Sequence, residues 1–439
     1  MRVGVIGGGP AGAICAIELR HGATAGERPE VLLFDGKSFT QVGPQGCNMC
    51  AGVISGEVLA HLARLGVADP GRLIQREVTA HYFENLAGGV HIPREEASIF
   101  TVFRSAGPRM GEQIIAQSFD YLLMHTAEEA GVAHIPAHIS EVEMPASPSA
   151  PFRLQTKTGD WYEVDVLVGA FGVNSALGQR FHKLGFGYRP PRTYHVSQAE
   201  IPVTADFLAA GSHNVIKVFT LGLPRIHFGA LTPKRTHLTA TVIGQDLSRK
   251  DLERFLTDPR LAPHLPPGWT LPPVYCYCHP RLPVTAARNV VADRLLIIGD
   301  AHISRYLKGG IDSAFFTGTL AAQAILAGDL SRRALHRGYV TPCRRRYLLD
   351  NACGRLLFLC NDLLSRTPAF ARAALWLVER EAARPRWEDR HHTQILWHIF
   401  TGDAPYRTIL QQAIRPAAVG RTLLALARSL LYRKKGTPS

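Results

Sequence analysis

The sequence predicts an α/β chain, α+β overall, in three parts: a parallel-sheet nucleotide-binding domain, a second, mainly antiparallel β-sheet domain, and a helical C-terminal tail. Three observations carry this. A glycine-rich turn joins an apolar strand to a helix at the start of the chain, and a second strand–glycine–helix unit stands at residues 293–326. Short β-rich runs divided by Pro, Gly and Arg lie between the two units. A basic, leucine-rich segment with helical spacing follows them.

The first element is "MRVGVIGGGPAGAICAIEL", residues 1–19. A secretory leader has a basic start, an unbroken apolar stretch and a small-residue cleavage site. This segment has one Arg and three consecutive glycines, which would weaken a helical leader. It suits a phosphate-binding turn instead. Gly7, Gly9 and Gly12 stand in G-x-G-x-x-G spacing after a β-branched strand, and Pro10 and Ala11 open the helix. Gly7 serves the tight turn, Gly9 lets a pyrophosphate reach the backbone, and Gly12 lets helix and strand pack closely. The helix N-terminus offers free N–H groups and partial positive charge. A second strand, "EVLLFDGK", ends at Asp35, where an acid can accept a hydrogen bond from a ribose 2′-hydroxyl. This is a Rossmann-like start.

The far unit, "DRLLIIGDAHISRYLKGGIDSAFFTGTLAAQAIL", begins at Asp293. It has a buried-type strand at 295–298, then Gly299-Asp300, a loop, and Gly309-Gly310-Ile311 at a helix start. It resembles the second FAD motif of the p-hydroxybenzoate-hydroxylase-type flavoproteins. The resemblance implies FAD as cofactor, with Asp300 on a ribityl hydroxyl and Gly299, Gly309, Gly310 and Ile311 beside the flavin. A helix N-terminus there suits the negative charge of a reduced flavin. "YEVDVLVGAFGVNSALGQRF" (162–181) resembles the middle motif of that family, G-A-D-G-x-x-S, keeping Gly169, Gly172 and Ser175 but placing Phe171 where the Asp belongs. The family links that Asp to nicotinamide-nucleotide use, so NAD(P)H as direct electron donor is left open.

"GCNMCAGVIS" (46–55) narrows the resemblance. Cys50-Ala51-Gly52 matches the Cys-Ala-Gly segment that the geranylgeranyl reductase family places over its flavin. "GGIDSAFFTGTLAAQAI" also looks more like that family than like the hydroxylases, whose loop carries prolines after the histidine; none follows His302 here. The Y-x-W-x-F-P segment of the reductases is echoed only in part, by Phe228–Pro233, with Ala230 and Thr232 in place of its Trp and second aromatic. The resemblance implies an FAD-dependent oxidoreductase that reduces carbon–carbon double bonds of a hydrophobic isoprenoid or lipid. Cys50 and His302 are then the catalytic candidates, His302 because imidazole titrates near neutrality. Arg104 either meets an FAD phosphate or is an ordinary surface arginine.

Two other functions stay open: an FAD-dependent monooxygenase, against which Phe171 and the missing loop prolines argue, and a membrane-associated electron-transfer flavoprotein that serves a redox partner protein. The W-x-W-x-I-P segment of flavin halogenases is absent. Cys47 and Cys50 form a C-x-x-C with three readings: structural, a redox pair, or half of a metal site completed by Cys276, Cys278 and His279. No metal is assigned.

Composition frames these readings. The 439 residues, 46% hydrophobic and 19% charged, suit two or three folded domains. No uncharged apolar run reaches the roughly 18 residues that span a bilayer. Eight cysteines make no secreted disulfide framework, which points to a reducing, cytoplasmic setting. The net charge of +13 lies wholly in the last quarter. No nucleic-acid module accompanies it, so nucleic acid is not an expected partner.

The expected boundaries are 1–75, 96–187 and 286–340 for a discontinuous FAD-binding domain. Residues 76–95 and 188–285 make the substrate sheet, and 341–439 the basic tail. A hairpin is expected over 78–95 and an amphipathic helix over 118–132. His391 and His392 point to different sides of a helix and read as surface or packing residues. The last helix, "RTLLALARSLLYRKK", sets Leu423, Leu426, Ala427 and Leu430 apart from Arg421 and Arg428. It fits either a helix packed on the body or peripheral contact with the inner face of a membrane.

Overall fold

The structure, a computed structural model, describes residues 1–22, 28–38, 40–43, 50–94, 96, 98–109, 118–211 and 214–433. The chain divides into two compact units. One comprises Met1–Ile74, Val102–Tyr194 and Pro280–Leu348; the other comprises Gln75–Thr101, His195–His279 and Leu349–Ser439.

In the first unit, six strands form one sheet in the order Val291–Ala292, Leu295–Ile297, Val166–Gly169, Arg2–Ile6, Glu30–Phe34, Ala133–Ile135. All neighbours run parallel except the edge pair of Val291–Ala292 with Leu295–Ile297. The central strands are near-continuous runs of Val, Leu and Ile and are buried almost throughout, as a parallel sheet covered on both faces requires. Pro10 at the first position starts the helix Pro10–His21. The amphipathic segment at 118–132 forms the helix Phe119–Glu129, capped by the Ser118 hydroxyl, which accepts from Tyr121 N.

The long helix Gly310–Leu326 lies against Pro10–His21. Their contact is close because Gly318 has no side chain: a Cβ there would stand 2.7 Å from the backbone oxygen of Ala11 and 3.2 Å from Ile14 Cβ. The two glycine-bearing segments, separated by most of the chain, therefore form one structural block.

The second unit is built on a seven-stranded sheet in the order Cys276–Cys278, Ser197–Pro202, His237–Gly244, Ile226–Pro233, Val215–Thr220, Ala80–Asn85, Gly88–Pro93. Every pairing with a defined register is antiparallel except that of Val215–Thr220 with Ala80–Asn85. The expected hairpin is present, closing at Asn85 opposite Gly88. Alternate residues of the sheet, among them Ala199, Phe219, Leu231 and Ala240, pack with Leu252 and Phe255 of the helix Arg249–Leu256.

The tail is helical, as expected: Thr341–Ser365, Pro368–Ala382, His391–Thr401, Tyr406–Ala413 and Pro416–Arg433. From Leu349 on it is part of the second unit. Its aromatic residues cover the sheet. Trp397 meets His81 edge-on, Phe400 meets Phe83 and Phe228, and Phe358 stacks on Phe228. His227 on the sheet hydrogen-bonds through Nδ1 to Asp362 of the tail. Glu381 accepts from the N–H groups of His392 and Thr393, capping the helix His391–Thr401 from outside. Burial acts to raise the pKa of Glu381, but the His392 side chain and these N–H groups hold it at about 2.

Alanine at Gly318 weighs two opposed effects. Gly→Ala inside a helix gains about 1 kcal/mol of propensity. Forcing a methyl against a helix backbone costs about 1–3 kcal/mol, and the Ala11 carbonyl has little freedom to retreat. Gly318→Ala is expected to lower the thermal midpoint of the protein. An unchanged or raised midpoint by calorimetry would show that the helix contact has slack.

Candidate functional site

The turn after the first strand is shaped by close approaches. Gly7 sits at φ +111° and donates its N–H to Phe34 O at 2.9 Å. A Cβ on Gly12 would lie 1.9 Å from Gly7 O, so the helix meets the turn backbone to backbone. Gly9 differs from both: nothing stands within 4 Å of where its Cβ would be. The turn thus presents an open backbone position at the N-terminus of a 12-residue helix, which suits an anionic group.

Asp35 holds this turn. Its Oδ2 accepts from Gly8 N at 2.7 Å and its Oδ1 from Lys37 N at 2.8 Å. Each carboxylate oxygen has a second lone pair, so a ribose hydroxyl remains compatible with both contacts.

The distant motif meets the first one directly. Gly299 lies so near the first helix that a Cβ on it would be 2.9 Å from Ala11 Cβ. Its N–H donates to Thr317 Oγ1 at 3.2 Å, tying the end of the strand to the helix Gly310–Leu326. Gly309, at φ +65°, turns the chain into that helix. Gly310 is exposed at its first position, 4.0 Å from Asp300 Oδ1 when measured from its Cβ site, and Ile311 behind it is buried. Burial raises the pKa of Asp300; the Ser304 hydroxyl and the charge of Arg104 pull the other way. Asp312 is likewise pushed up by burial, against a hydrogen bond from the Ser55 hydroxyl.

Arg104 does not stand free for a phosphate. Its Nε donates to Asp120 at 2.9 and 2.8 Å and its Nη2 approaches the same carboxylate at 2.8 Å, with Asp120 fully buried. Burial acts to lower the Arg104 pKa; Asp120 and Cys50 reverse this and raise it. Cys50 Sγ also accepts from Gly52 N at 3.3 Å. Gly52, at φ +71°, is pressed on the backbone of Val102, where a Cβ would stand 1.9 Å from the carbonyl oxygen. That contact carries Cys50 to Arg104. Cys47 lies outside the described residues.

His302 is placed differently from the expectation. Its imidazole is buried, and Nδ1–H donates to Tyr339 OH at 2.9 Å, because that hydroxyl gives its own proton to Ile297 O at 3.1 Å. Burial, aided by the charge of Arg344, pushes its pKa down to about 3. A neutral, enclosed imidazole is a packing group and not a proton donor near neutrality. Gly172, at φ +63°, faces open space, and Phe171 beside it is buried against Phe181 and Tyr188.

The residues therefore fit a flavin dinucleotide: an open glycine at a helix N-terminus, a buried carboxyl at Asp300 suited to a hydroxyl, and a second helix N-terminus at Gly310. Asp120, Ser304, Thr317 and Tyr339 complete the site without any sequence motif to announce them.

The fold is that of the FAD-dependent oxidoreductases. Among them, the resemblance to the geranylgeranyl reductase family is borne out. The chain is 24% identical over 346 residues to the chloroplastic geranylgeranyl diphosphate reductase of Nicotiana tabacum, covering 75% of this chain and 67% of that protein. Among solved structures, a geranylgeranyl bacteriochlorophyll reductase-like protein of Thermoplasma acidophilum shares the fold with a TM-score of 0.63 at 16% identity, over 97% of this chain and 98% of that one. The flavin-dependent brominase Bmp2 shares it at 0.61 and 17%, over 99% of both chains. The 2-methyl-3-hydroxypyridine-5-carboxylic acid oxygenase does so at 0.57 and 18%, over 84% of this chain and 96% of that one. No family model matches the chain.

Two outcomes follow for the site. Asp300→Asn should weaken FAD retention by about tenfold to a hundredfold, the worth of a hydrogen bond to a charged group, read by equilibrium dialysis. His302 has a folded pKa far below its free value of 6.5, so its contribution to stability is complete above that value. It is lost as pH falls from 6.5 toward 3, at roughly 1.4 kcal/mol per pH unit. His302→Gln should flatten that acid limb in urea titrations at stepped pH; an identical limb would mean the imidazole is not enclosed.

Proposed function

We propose that this FAD-dependent oxidoreductase reduces a carbon–carbon double bond of a hydrophobic isoprenoid or lipid. The observation that carries the reading is Cys50 of the Cys-Ala-Gly segment, brought beside Arg104 in the same unit as the two glycine motifs. The chloroplastic relative is, by name, a reductase of geranylgeranyl diphosphate, which supports an isoprenoid substrate.

When bound, FAD supplies the reducing equivalents, and the protein supplies the rest. The open turn at Gly9 and the N-terminus of the helix Pro10–His21 hold the pyrophosphate. Asp35 and Asp300 receive sugar and ribityl hydroxyls. The N-terminus of Gly310–Leu326, with Ile311 packed behind it, offers partial positive charge to the flavin. An isolated alkene is a poor acceptor, so its second carbon needs a proton from a placed donor. We assign that proton to Cys50 Sγ, with Arg104 orienting the sulfur and Asp120 holding Arg104. His302 is excluded from this role by its enclosure. Phe171 fills the position of the acid that the family links to nicotinamide nucleotides, which favours an electron donor other than NAD(P)H; a redox partner protein fits that role.

The test is anaerobic incubation of dithionite-reduced enzyme with polyprenyl lipids. Flavin should reoxidise while the lipid gains two hydrogens per reduced bond. Unchanged flavin absorbance and lipid mass would overturn the reading, and substrate-stimulated consumption of NADPH and oxygen in fixed ratio would replace it with a monooxygenase. Cys50→Ala should slow reoxidation by about a hundredfold or more, the usual worth of a general acid, and leave FAD binding intact. Cys50→Ser should retain part of the rate with an altered pH profile.

A further inference from the structure

The last helix, Pro416–Arg433, is packed inside out. An amphipathic helix on a protein body normally turns its large apolar residues inward. Here the residues facing inward are small: Ala418, Ala425 and Ser429 are buried. Ala425, with Leu426, packs on Ala373, Trp376 and Leu377 of the helix Pro368–Ala382. Ser429 Oγ accepts from Arg372 Nε at 3.2 Å, and Thr422 donates to Ala418 O. The other four leucines point the other way. Leu423, Leu424, Leu430 and Leu431 are 60%, 73%, 50% and 66% exposed, with Val419 beside them. At helical spacing they form one continuous outward arc with Ala427 and Gly420.

This is where the exposed apolar surface of the protein concentrates. Among the described residues, eleven of the fifteen exposed large hydrophobic residues lie between Leu348 and Leu431, five of them on this helix and five on the helix Thr341–Ser365. The charge follows the same segment. After Asp403 the sequence contains no Asp or Glu, and it carries Arg407, Arg415, Arg421, Arg428, Arg433, Lys434 and Lys435. On the helix, Arg421 and Arg428 fall on one flank of the leucine arc, and Arg415, just ahead of the helix, is exposed. Among the described residues no helix is long and apolar enough to cross a membrane. An apolar arc flanked by arginines, in a segment whose sequence holds no acid after Asp403, is complementary to an anionic lipid surface: leucines enter the acyl boundary and the exposed Arg415 and Arg428 reach the headgroups.

We propose that Pro416–Arg433 seats the protein on anionic membranes, lying in the plane of the interface with Leu423, Leu424, Leu430 and Leu431 inserted. A self-associating surface would share the leucines but would gain nothing from the positive charge beside them. The proposal stands apart from the reaction assigned above and does not depend on the identity of the substrate.

The experiment is flotation of the full-length, flavin-loaded protein with phosphatidylcholine vesicles, with and without phosphatidylglycerol. The protein should float with the anionic vesicles and remain below with the neutral ones. Retention should fall steeply with added salt, as charge attraction to a surface does. Leu424→Glu with Leu431→Glu should reduce retention at least tenfold with unchanged flavin absorbance, because both side chains are already in solvent. Arg415→Gln should reduce it by about fivefold, the worth of one basic residue near an anionic surface. Three results would overturn the proposal: no flotation with anionic vesicles, flotation independent of salt and of phosphatidylglycerol, or a double-leucine variant that floats like the parent. A fourth would overturn it in favour of a second copy of the chain: sedimentation velocity showing a dimer that the leucine substitutions dissolve, with vesicle binding absent throughout. The salt series uses the unaltered protein, so a poorly folding variant leaves the proposal testable.

Discussion

The close approach of the two glycine-bearing segments is the constraint on which the first unit depends. Ala11 lies under Gly299, and its carbonyl under Gly318. These contacts exist only because two positions near residue 300 lack a Cβ. They draw the N-termini of the helices Pro10–His21 and Gly310–Leu326 into one unit, with Asp300 beside the second. Two helix N-termini in one unit supply partial positive charge without burying a lysine or arginine. A site for a phosphate-bearing, redox-active cofactor needs that economy, since each buried ion would cost several kcal/mol to desolvate.

A strongly buried ion pair near the site, Arg104 with Asp120, shows what such a cost is used for. Asp120 is fully enclosed and Arg104 nearly so. Taking away either partner would strand the other, at about 3–5 kcal/mol. The pair is therefore a rigid fixture, and its outward consequence is a guanidinium held against Cys50 and within electrostatic reach of Asp300. His302 represents the opposite solution. Burial keeps it neutral, and its hydrogen bond to Tyr339 ties the loop after Gly299 to the chain that leads into the tail. The histidine read from sequence as a catalytic candidate becomes a packing group, and the arginine read as a phosphate ligand or a surface residue becomes a positioning group.

The second unit separates two jobs along its tail. The aromatic residues Phe358, Trp397 and Phe400 finish the seven-stranded sheet, which would otherwise expose Phe83 and Phe228. The last helix adds little to that cover. It rests on alanines, a serine and Leu426, and turns its other four leucines outward. A helix that serves only stability would bury those leucines, at about 1.5–3 kcal/mol each. Their exposure on a helix with no acidic residue is what the membrane-facing role rests on.

The sequence by itself determined the fold class, the hairpin at 78–95, the helix after Ser118 and the glycine turns. All of these are local patterns: period-two and period-3.6 hydrophobicity, caps, and glycines whose spacing has one sensible geometry. It also located Cys50, Gly52, Asp35 and Asp300, because each belongs to a short motif. Only the tertiary structure decided that Arg104 faces Asp120 and Cys50, that His302 is enclosed by Tyr339, and that the tail from Leu349 closes the sheet. Those outcomes depend on partners far away in the chain, and on burial, which sets whether a charge survives. The inside-out last helix shows the division most plainly. The sequence pattern groups Leu423, Leu426, Ala427 and Leu430 against Arg421 and Arg428, but the structure turns Leu426 inward with Ala425 and leaves Leu423 and Leu430 outside, because alanines let Pro368–Ala382 approach more closely than leucines do.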